Sequence, residues 1–267
     1  MAEWRPRREP TATAPVRGLH RVEHVMGIPV GIDVRDDGVD PAALDRAFAW
    51  LRRVDAAFST YRADSEVSRL NAGTLALPDA SPTVRAVLER CAVLRTRTRG
   101  RFDVRASGPL DPSAFVKGWA VEEAARMLAD AGARNLCVHA GGDVRVRGER
   151  APGQPWRVGV QHPHRRDRVA AVLRARDLAV ATSGAYERGA HVVDPRTGEP
   201  PEGVLSVTVL GPDLGTADAY ATAAFAMGAD GPEWTLGLGD YEALTILADG
   251  RVLTTPGVEA LRGSLAG

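Results

Sequence analysis

Asp218 and Thr222 stand four residues apart in the stretch GTADAYATAAFAMG (215–228). The Ala, Phe and Met around them predict a short helix that opens at Gly215, runs to about Met227 and stops at Gly228. Four-residue spacing then places the two on one helix face, one above the other. A carboxylate and a hydroxyl stacked in this way suit a hard cation such as Mg²⁺, which takes few protein oxygens and completes its shell with phosphate. A structural alternative stands beside this: Thr222 bonds the Asp218 carbonyl, and Asp218 favours the helix N-terminus. Lys117 falls in the first turns of another helical pattern, where it reaches either solvent or a phosphate. Tyr61, the sole aromatic of the polar segment STYRADSEVSRLN (59–71), either lies over a ligand or covers a helix end.

The elements that must position these groups follow from periodicity and caps. Residues 19–35, LHRVEHVMGIPVGIDVR, alternate in their later part and predict a strand or bent strand pair, with Gly27 beside Pro29 marking a kink or bulge. Asp40 caps a first helix with Pro41 at its first position, and Leu44, Phe48, Leu51, Val54 and Phe58 recur at helical spacing. Ser81-Pro82 opens a second helix, which Gly100 ends. A loop carrying Asp103, Gly108 and Asp111 leads into a third, with Val116, Ala120, Ala124 and Leu128 on one face and Gly132 closing it. Residues 135–148 read as strand, glycine pair, strand, where Gly141-Gly142 makes a hairpin turn or lets backbone approach a ligand. Strands are predicted at 156–161, 168–175, 178–184, 190–195 and 204–210, with 165–167 as a hairpin loop, 194–198 as a turn and a last hairpin at Asp249-Gly250. A helix-rich first half and a strand-rich second half predict an α+β fold. The glycine pair lacks the GxGxxG spacing, so no Rossmann dinucleotide unit is expected.

Composition narrows the function classes. The 267 residues are 44% apolar and 25% charged, enough for a real core. Lys plus Arg equals Asp plus Glu at 34 each, which removes the basic footprint of a general nucleic-acid binder. Cys91 and Cys137 lie in apolar runs as reduced core residues, and their spacing fits no zinc site. No apolar run approaches the ~18 residues of a membrane span. The Arg pair near the start has no apolar segment behind it, so a cytoplasmic location is expected. Residues 1–17 are expected to be a flexible tail and 18–267 one folded domain.

Taken together, several segments give the chain a family likeness. Met26-Gly27, STYRADSEVSRLN (59–71), GRFD (100–103), DPSAFVKGWAVE (111–122), AGGDVRVRG (140–148), ATSGAYERGAHVVDPRTG (181–198) and SVTVLGPDLGTADAYATAAFAMG (206–228) occur in that order. In these the sequence resembles the ApbE family of FAD:protein FMN transferases. The resemblance implies a Mg²⁺-dependent reaction in which FAD is split at its pyrophosphate. The FMN half becomes linked to a Thr or Ser hydroxyl of an acceptor protein, and AMP is released. It implies metal ligands at Asp218, Thr222 and the backbone carbonyl of Ala114. It implies FAD contacts at Met26, Tyr61, Asp103, Asp111, Lys117 and Val193, and the family's histidine before the DPxTG turn falls on His191. His191 either accepts the proton of the attacking hydroxyl or is a strand histidine satisfied by a neighbouring carbonyl, with His139 as a rival base, and Lys117 adds a second positive charge. Two departures stand out. Asp111-Pro112-Ser113-Ala114 replaces the more usual Asp-Leu-Gly-Gly, and Asp103 and Asp111 are only eight residues apart where many members carry several dozen. The same site with water as nucleophile would make an FAD hydrolase, and without turnover a flavin carrier.

Overall fold

A computed structural model describes residues 18–184 and 192–262. The expected tail 1–17, the segment 185–191 with His191, and 263–267 lie outside the described residues. In chain order the elements are β1 (Leu19–Val25), β2 (Ile28–Val34), α1 (Ala42–Phe58), α2 (Glu66–Asn71), α3 (Pro82–Arg97), α4 (Ser113–Asp130), β3 (Leu136–Ala140), β4 (Asp143–Arg147), β5 (Glu149–Ala151), β6 (Gln154–His162), β7 (Arg165–Ala175), β8 (Leu178–Gly184), β9 (Val204–Gly211), α5 (Leu214–Ala226), α6 (Gly231–Thr235), β10 (Glu242–Leu247), β11 (Val252–Thr254) and α7 (Val258–Leu261). Helices α1–α4 precede residue 131 and strands β3–β11 follow it, so the fold is α+β with the expected division of the chain.

Eight strands form one antiparallel sheet in the order β1-β2-β3-β4-β8-β9-β10-β11, and β5-β6-β7 form a second. Alternation assigns the two faces of the large sheet. Val30, Ile32 and Val34 of β2, Leu136, Val138 and Ala140 of β3, and Ala179 and Ala181 of β8 join the core beneath α1, α4 and α5. Val146, Val180, Leu210, Leu244 and Ile246 turn the other way and meet Trp156, Val158, Val160 and Leu173 of the small sheet. Strand β4 is the exception on the helix side. Its residues Asp143 and Arg145 stand opposite Ala140 and Val138, and both are buried and charged. Burial of charge is tolerated only with partners. Glu122 of α4 supplies one, accepting from Arg145 Nε at 3.0 Å and from the Leu214 N–H at 3.1 Å.

Ser81 caps α3 as expected, accepting from the Val84 N–H at 3.3 Å. At α1 the expected cap is corrected: the helix starts at Ala42 with Pro41 in the cap position and no side-chain cap bond, and Asp40 instead accepts from the Ala42 N–H at 2.9 Å in the turn before it. For α5 the cap is Asp213, which accepts from the Thr216 N–H at 2.8 Å, so the helix begins before Gly215. Three other expectations are corrected. Met26-Gly27 is the two-residue turn of the β1–β2 hairpin, with positive φ at both residues, and not a bulge. Residues 165–167 belong to β7, because Arg165 pairs with His162 and the turn is Pro163-His164. Residues 192–195 form no strand: their carbonyl and amide groups close the turn around Asp194 instead.

Candidate active site

A cleft of about 680 Å³ opens at the end of the helix layer where α4 begins. Its walls are the β1–β2 turn, the C-terminal end of α1 with the segment after it, the loop between Arg101 and Asp111, and residues 192–195. Its floor is α4, α5 and the end of β8. Met26, Tyr61, Asp103, Asp111, Ala114, Lys117, Val193, Asp218 and Thr222 all line it, although they come from segments spread across the chain. His191 lies outside the described residues.

The floor depends on how closely α4 and α5 cross. A Cβ at Gly118 would sit 2.6 Å from the Leu214 carbonyl oxygen and 3.0 Å from Asp218 Cβ. A Cβ at Gly215 would sit 2.9 Å from the Phe115 ring. Two glycines therefore let the helix backbones approach, and Asp218, only 2% exposed, is driven into α4. There Asp218 Oδ2 accepts from the Gly118 N–H at 3.2 Å. The ordinary helical acceptor of that N–H is the Ala114 carbonyl. A carbonyl that shares or loses its donor keeps lone-pair capacity for another partner.

Lys117 points into the same place. Its Nζ is 3.1 Å from Asp143 Oδ2 and 4.0 Å from Asp218 Oδ1. Asp143 is fully buried, and neither of its carboxylate oxygens receives a hydrogen bond among the described residues. Burial, and then the neighbouring Asp143 carboxylate, push the Asp218 carboxyl well above its ordinary range, against the pull of Lys117 and the Gly118 N–H. Thr222, one helical turn on, shares a hydrogen bond of 3.1 Å with the Ser183 hydroxyl of β8. Its side chain is therefore engaged with a neighbouring strand and turned toward the cleft floor.

The remaining candidates sit on the walls. Met26 holds a left-handed backbone, φ 56°, in a turn whose usual residue is Asn or Asp. A conformation of that kind in a large apolar side chain costs of order 1 kcal/mol or more and clusters at functional sites. Tyr61 is 91% exposed, so it does not cover the end of α1. Asp103 is already paired with Arg95 Nε at 2.6 Å and accepts from the Arg105 N–H. Asp111 accepts from the Ser113 N–H at 3.0 Å at the start of α4. Across the cleft, Arg101 donates to Asp194 Oδ2 at 3.2 Å and ties the two walls together.

Three contributors escaped the sequence reading: Asp143, Ser183 and Arg101. The glycine pair before Asp143 was the available signal, since a tight turn delivers the next residue to the helix face, where Asp143 pairs with Ala140.

The donor set fits a hard divalent cation. Asp218 and Thr222 offer oxygen, and two buried carboxylates face a single ammonium among the described residues. That leaves excess negative charge in a desolvated site, together with carboxylate oxygens that receive no hydrogen bond.

The ApbE family profile matches residues 26–110 and 105–245. A FAD:protein FMN transferase of Rhodobacter capsulatus is 34% identical over 239 residues, which cover 85% of this chain and 42% of that protein. The chain thus spans less than half the length of that relative. A FAD:protein FMN transferase of Vibrio cholerae serotype O1 is 31% identical over 238 residues, covering 67% of this chain and 71% of its own. The solved flavin transferase ApbE from Vibrio cholerae matches with a TM-score of 0.81 at 26% identity, over 91% of this chain and 98% of that one. The ApbE protein of Thermotoga maritima shares the fold, with a TM-score of 0.81 at 23% identity over 92% of this chain and 99% of that chain.

Proposed function

This chain belongs to the ApbE family, and from that premise we propose that it transfers the FMN part of FAD to a Thr or Ser hydroxyl of an acceptor protein, releasing AMP. The observation that carries the reading is the meeting of Asp218, Thr222, Lys117 and the Ala114 turn of α4 on the floor of one cleft. The cleft is large enough for a dinucleotide to enter, since ligand sites of that kind span about 300–1,000 Å³.

In this reading the pyrophosphate of FAD lies at the start of α4. The positive end of the helix dipole favours an anion there. Asp218, Thr222 and the Ala114 carbonyl would hold Mg²⁺. Bound there, the ion would neutralise pyrophosphate oxygens as charge develops at phosphorus. The Lys117 ammonium adds positive charge from the protein side. Met26 and Tyr61 present apolar and aromatic surface to the flavin or adenine rings. His191 takes the proton of the acceptor hydroxyl as its oxygen bonds to the FMN phosphorus. The bond from that phosphorus to the bridging oxygen breaks, and AMP leaves with the electron pair. Substrates are FAD and a protein. No described helix is long and apolar enough to cross a membrane.

The test is to incubate the purified protein with FAD and Mg²⁺, with and without a candidate acceptor domain, and to read AMP by chromatography and the acceptor by mass spectrometry. AMP with a matching FMN adduct supports the transferase. AMP and free FMN without any adduct replaces it with a hydrolase, and tight FAD binding without AMP replaces it with a carrier. Asp218→Ala should abolish Mg²⁺-dependent turnover while the melting transition remains cooperative. Unchanged Mg²⁺ dependence in that variant would refute the metal assignment.

A further inference from the structure

We propose that Asp143 is a positioning residue: it holds the Lys117 ammonium off Asp218, so that the Asp218 carboxylate stays open to a divalent cation. The inference rests on the cation assignment of the proposed function. It concerns a residue outside the ligand set, on a strand that contributes no residue to the cleft lining.

Three observations point the same way. Asp143 is the first residue of β4, and the Gly141-Gly142 turn, with φ 59° at Gly141, delivers it to the helix face opposite Ala140. It is fully buried, and none of the described donors makes a hydrogen bond to either of its oxygens. Lys117 Nζ lies 3.1 Å from Asp143 Oδ2, while Asp218 Oδ1 stands 4.0 Å from the same nitrogen.

A buried carboxylate is costly, and an asparagine would fill the same volume without a charge to desolvate. The charge at 143 thus has a role that volume does not explain, and Lys117 is the cation paired with it among the described residues. Lysine is a compact cation on a flexible stem, and it goes to the strongest anion it can touch. Without the Asp143 charge the next carboxylate among the described residues is Asp218, at 4.0 Å. An ammonium seated there would occupy the oxygens a cation needs. With Asp143 present, the ammonium is parked at the back of the site. Asp218, which lines the cleft, then keeps Oδ2 on the Gly118 N–H, and its Oδ1 is left without the ammonium in contact. The arrangement makes Lys117 useful as a positive charge near a bound phosphate without letting it compete for the metal ligand.

The test uses the full chain without FAD and Mn²⁺ as the probe, with binding read by electron paramagnetic resonance and the fold by thermal melting. The proteins are wild type, Asp218→Ala, Asp143→Asn, Lys117→Met and the double variant Asp143→Asn/Lys117→Met. Asp143→Asn should weaken Mn²⁺ binding about tenfold, within the range of coupling between contacting residues. Removing the ammonium should then restore it. Lys117→Met should strengthen binding about tenfold or more in the Asp143→Asn background and only about threefold in the wild type. Equal gains in the two backgrounds would mean that Asp143 acts only as a nearby negative charge, and would overturn the proposal. So would wild-type affinity in Asp143→Asn. Should that variant fail to fold, Asp143→Ser, with room for water beside Lys117, enters the same cycle. If the wild type binds no Mn²⁺, or Asp218→Ala binds as well as the wild type, the cation assignment falls and this inference with it. That outcome is distinct from a bound Mn²⁺ that ignores residue 143.

Discussion

Gly118→Ala separates the two roles of the α4–α5 crossing. The new Cβ would lie 2.6 Å from the Leu214 carbonyl oxygen, a backbone atom that cannot rotate away. Ordinary contact begins near 3.4 Å, so the helices must part by about 0.8 Å locally. Overpacking of this kind costs about 1–3 kcal/mol. Ala in place of Gly within a helix returns about 1 kcal/mol. The net loss is therefore about 0–2 kcal/mol, and Tm should fall by no more than about 8 °C in a domain of this size. The site is far less tolerant. The Gly118 N–H to Asp218 Oδ2 distance is 3.2 Å, and a parting of that size carries it beyond hydrogen-bond range. A buried carboxylate that loses a donor costs about 1–3 kcal/mol, so the Mg²⁺ concentration for half-maximal AMP release should rise about tenfold or more. The assay pairs a Mg²⁺ titration of FAD cleavage with a thermal melt of the same preparation. A variant with the wild-type Mg²⁺ profile would refute the argument, because it would show that the Asp218 position does not depend on the close crossing. A raised Tm with normal turnover would refute it too.

Met26→Asn places a residue suited to left-handed backbone in the β1–β2 turn. It should raise stability by about 0.5–1 kcal/mol while raising KM for FAD several-fold, measured by melting and initial rates; an unchanged KM removes Met26 from the FAD contacts. Arg101→Met breaks the ion pair to Asp194 that joins the cleft walls, and amide exchange at Thr197 and Gly198 should accelerate. Protection equal to wild type would show that the turn holds itself. Burial, aided by His20 and opposed by Asp33, lowers the pKa of His139 below its ordinary 6.5. The unfolded chain then takes up a proton at a higher pH than the native protein does. The stability tied to His139 is full above about pH 6.5 and is lost as pH falls below it. Urea midpoints between pH 5 and 7.5 should show that loss, and His139→Gln should reduce it; an identical pH slope in the variant would place the effect elsewhere.

Much of the frame is local, and local rules read it. The turn at Asp40, the cap at Ser81 and the helical stripe of Leu44, Phe48, Leu51, Val54 and Phe58 depend on neighbours within a turn or two. Errors arose where a local signal had two solutions. Gly27 beside Pro29 suits a bulge or a turn, and the pairing of Val25 with Ile28 decides for the turn. The segment 165–167 looks polar enough for a loop, yet it pairs back as part of β7 because the tighter turn lies at Pro163-His164. The strand expected at 190–195 gives way over 192–195 to a turn in which the Asp194 carboxylate accepts from the Arg196 N–H and its carbonyl from the Thr197 and Gly198 N–H groups.

By itself the sequence determined the α+β class, the helix that stacks Asp218 over Thr222, and the motif order from which the family likeness follows. Each rests on spacing along the chain, and backbone geometry turns spacing into a shared face without reference to anything distant. Only the tertiary structure decided what those residues meet. Asp143 lies 75 positions from Asp218 in the chain, and Ser183 lies 39 from Thr222. They become neighbours because strand register sets which residues of β4 and β8 face the helices, and because Gly118 and Gly215 let α4 and α5 close on one another. Charge at position 143 has no meaning in the sequence, since the cost of a buried carboxylate, and the ammonium that offsets it, exist only once water has been excluded.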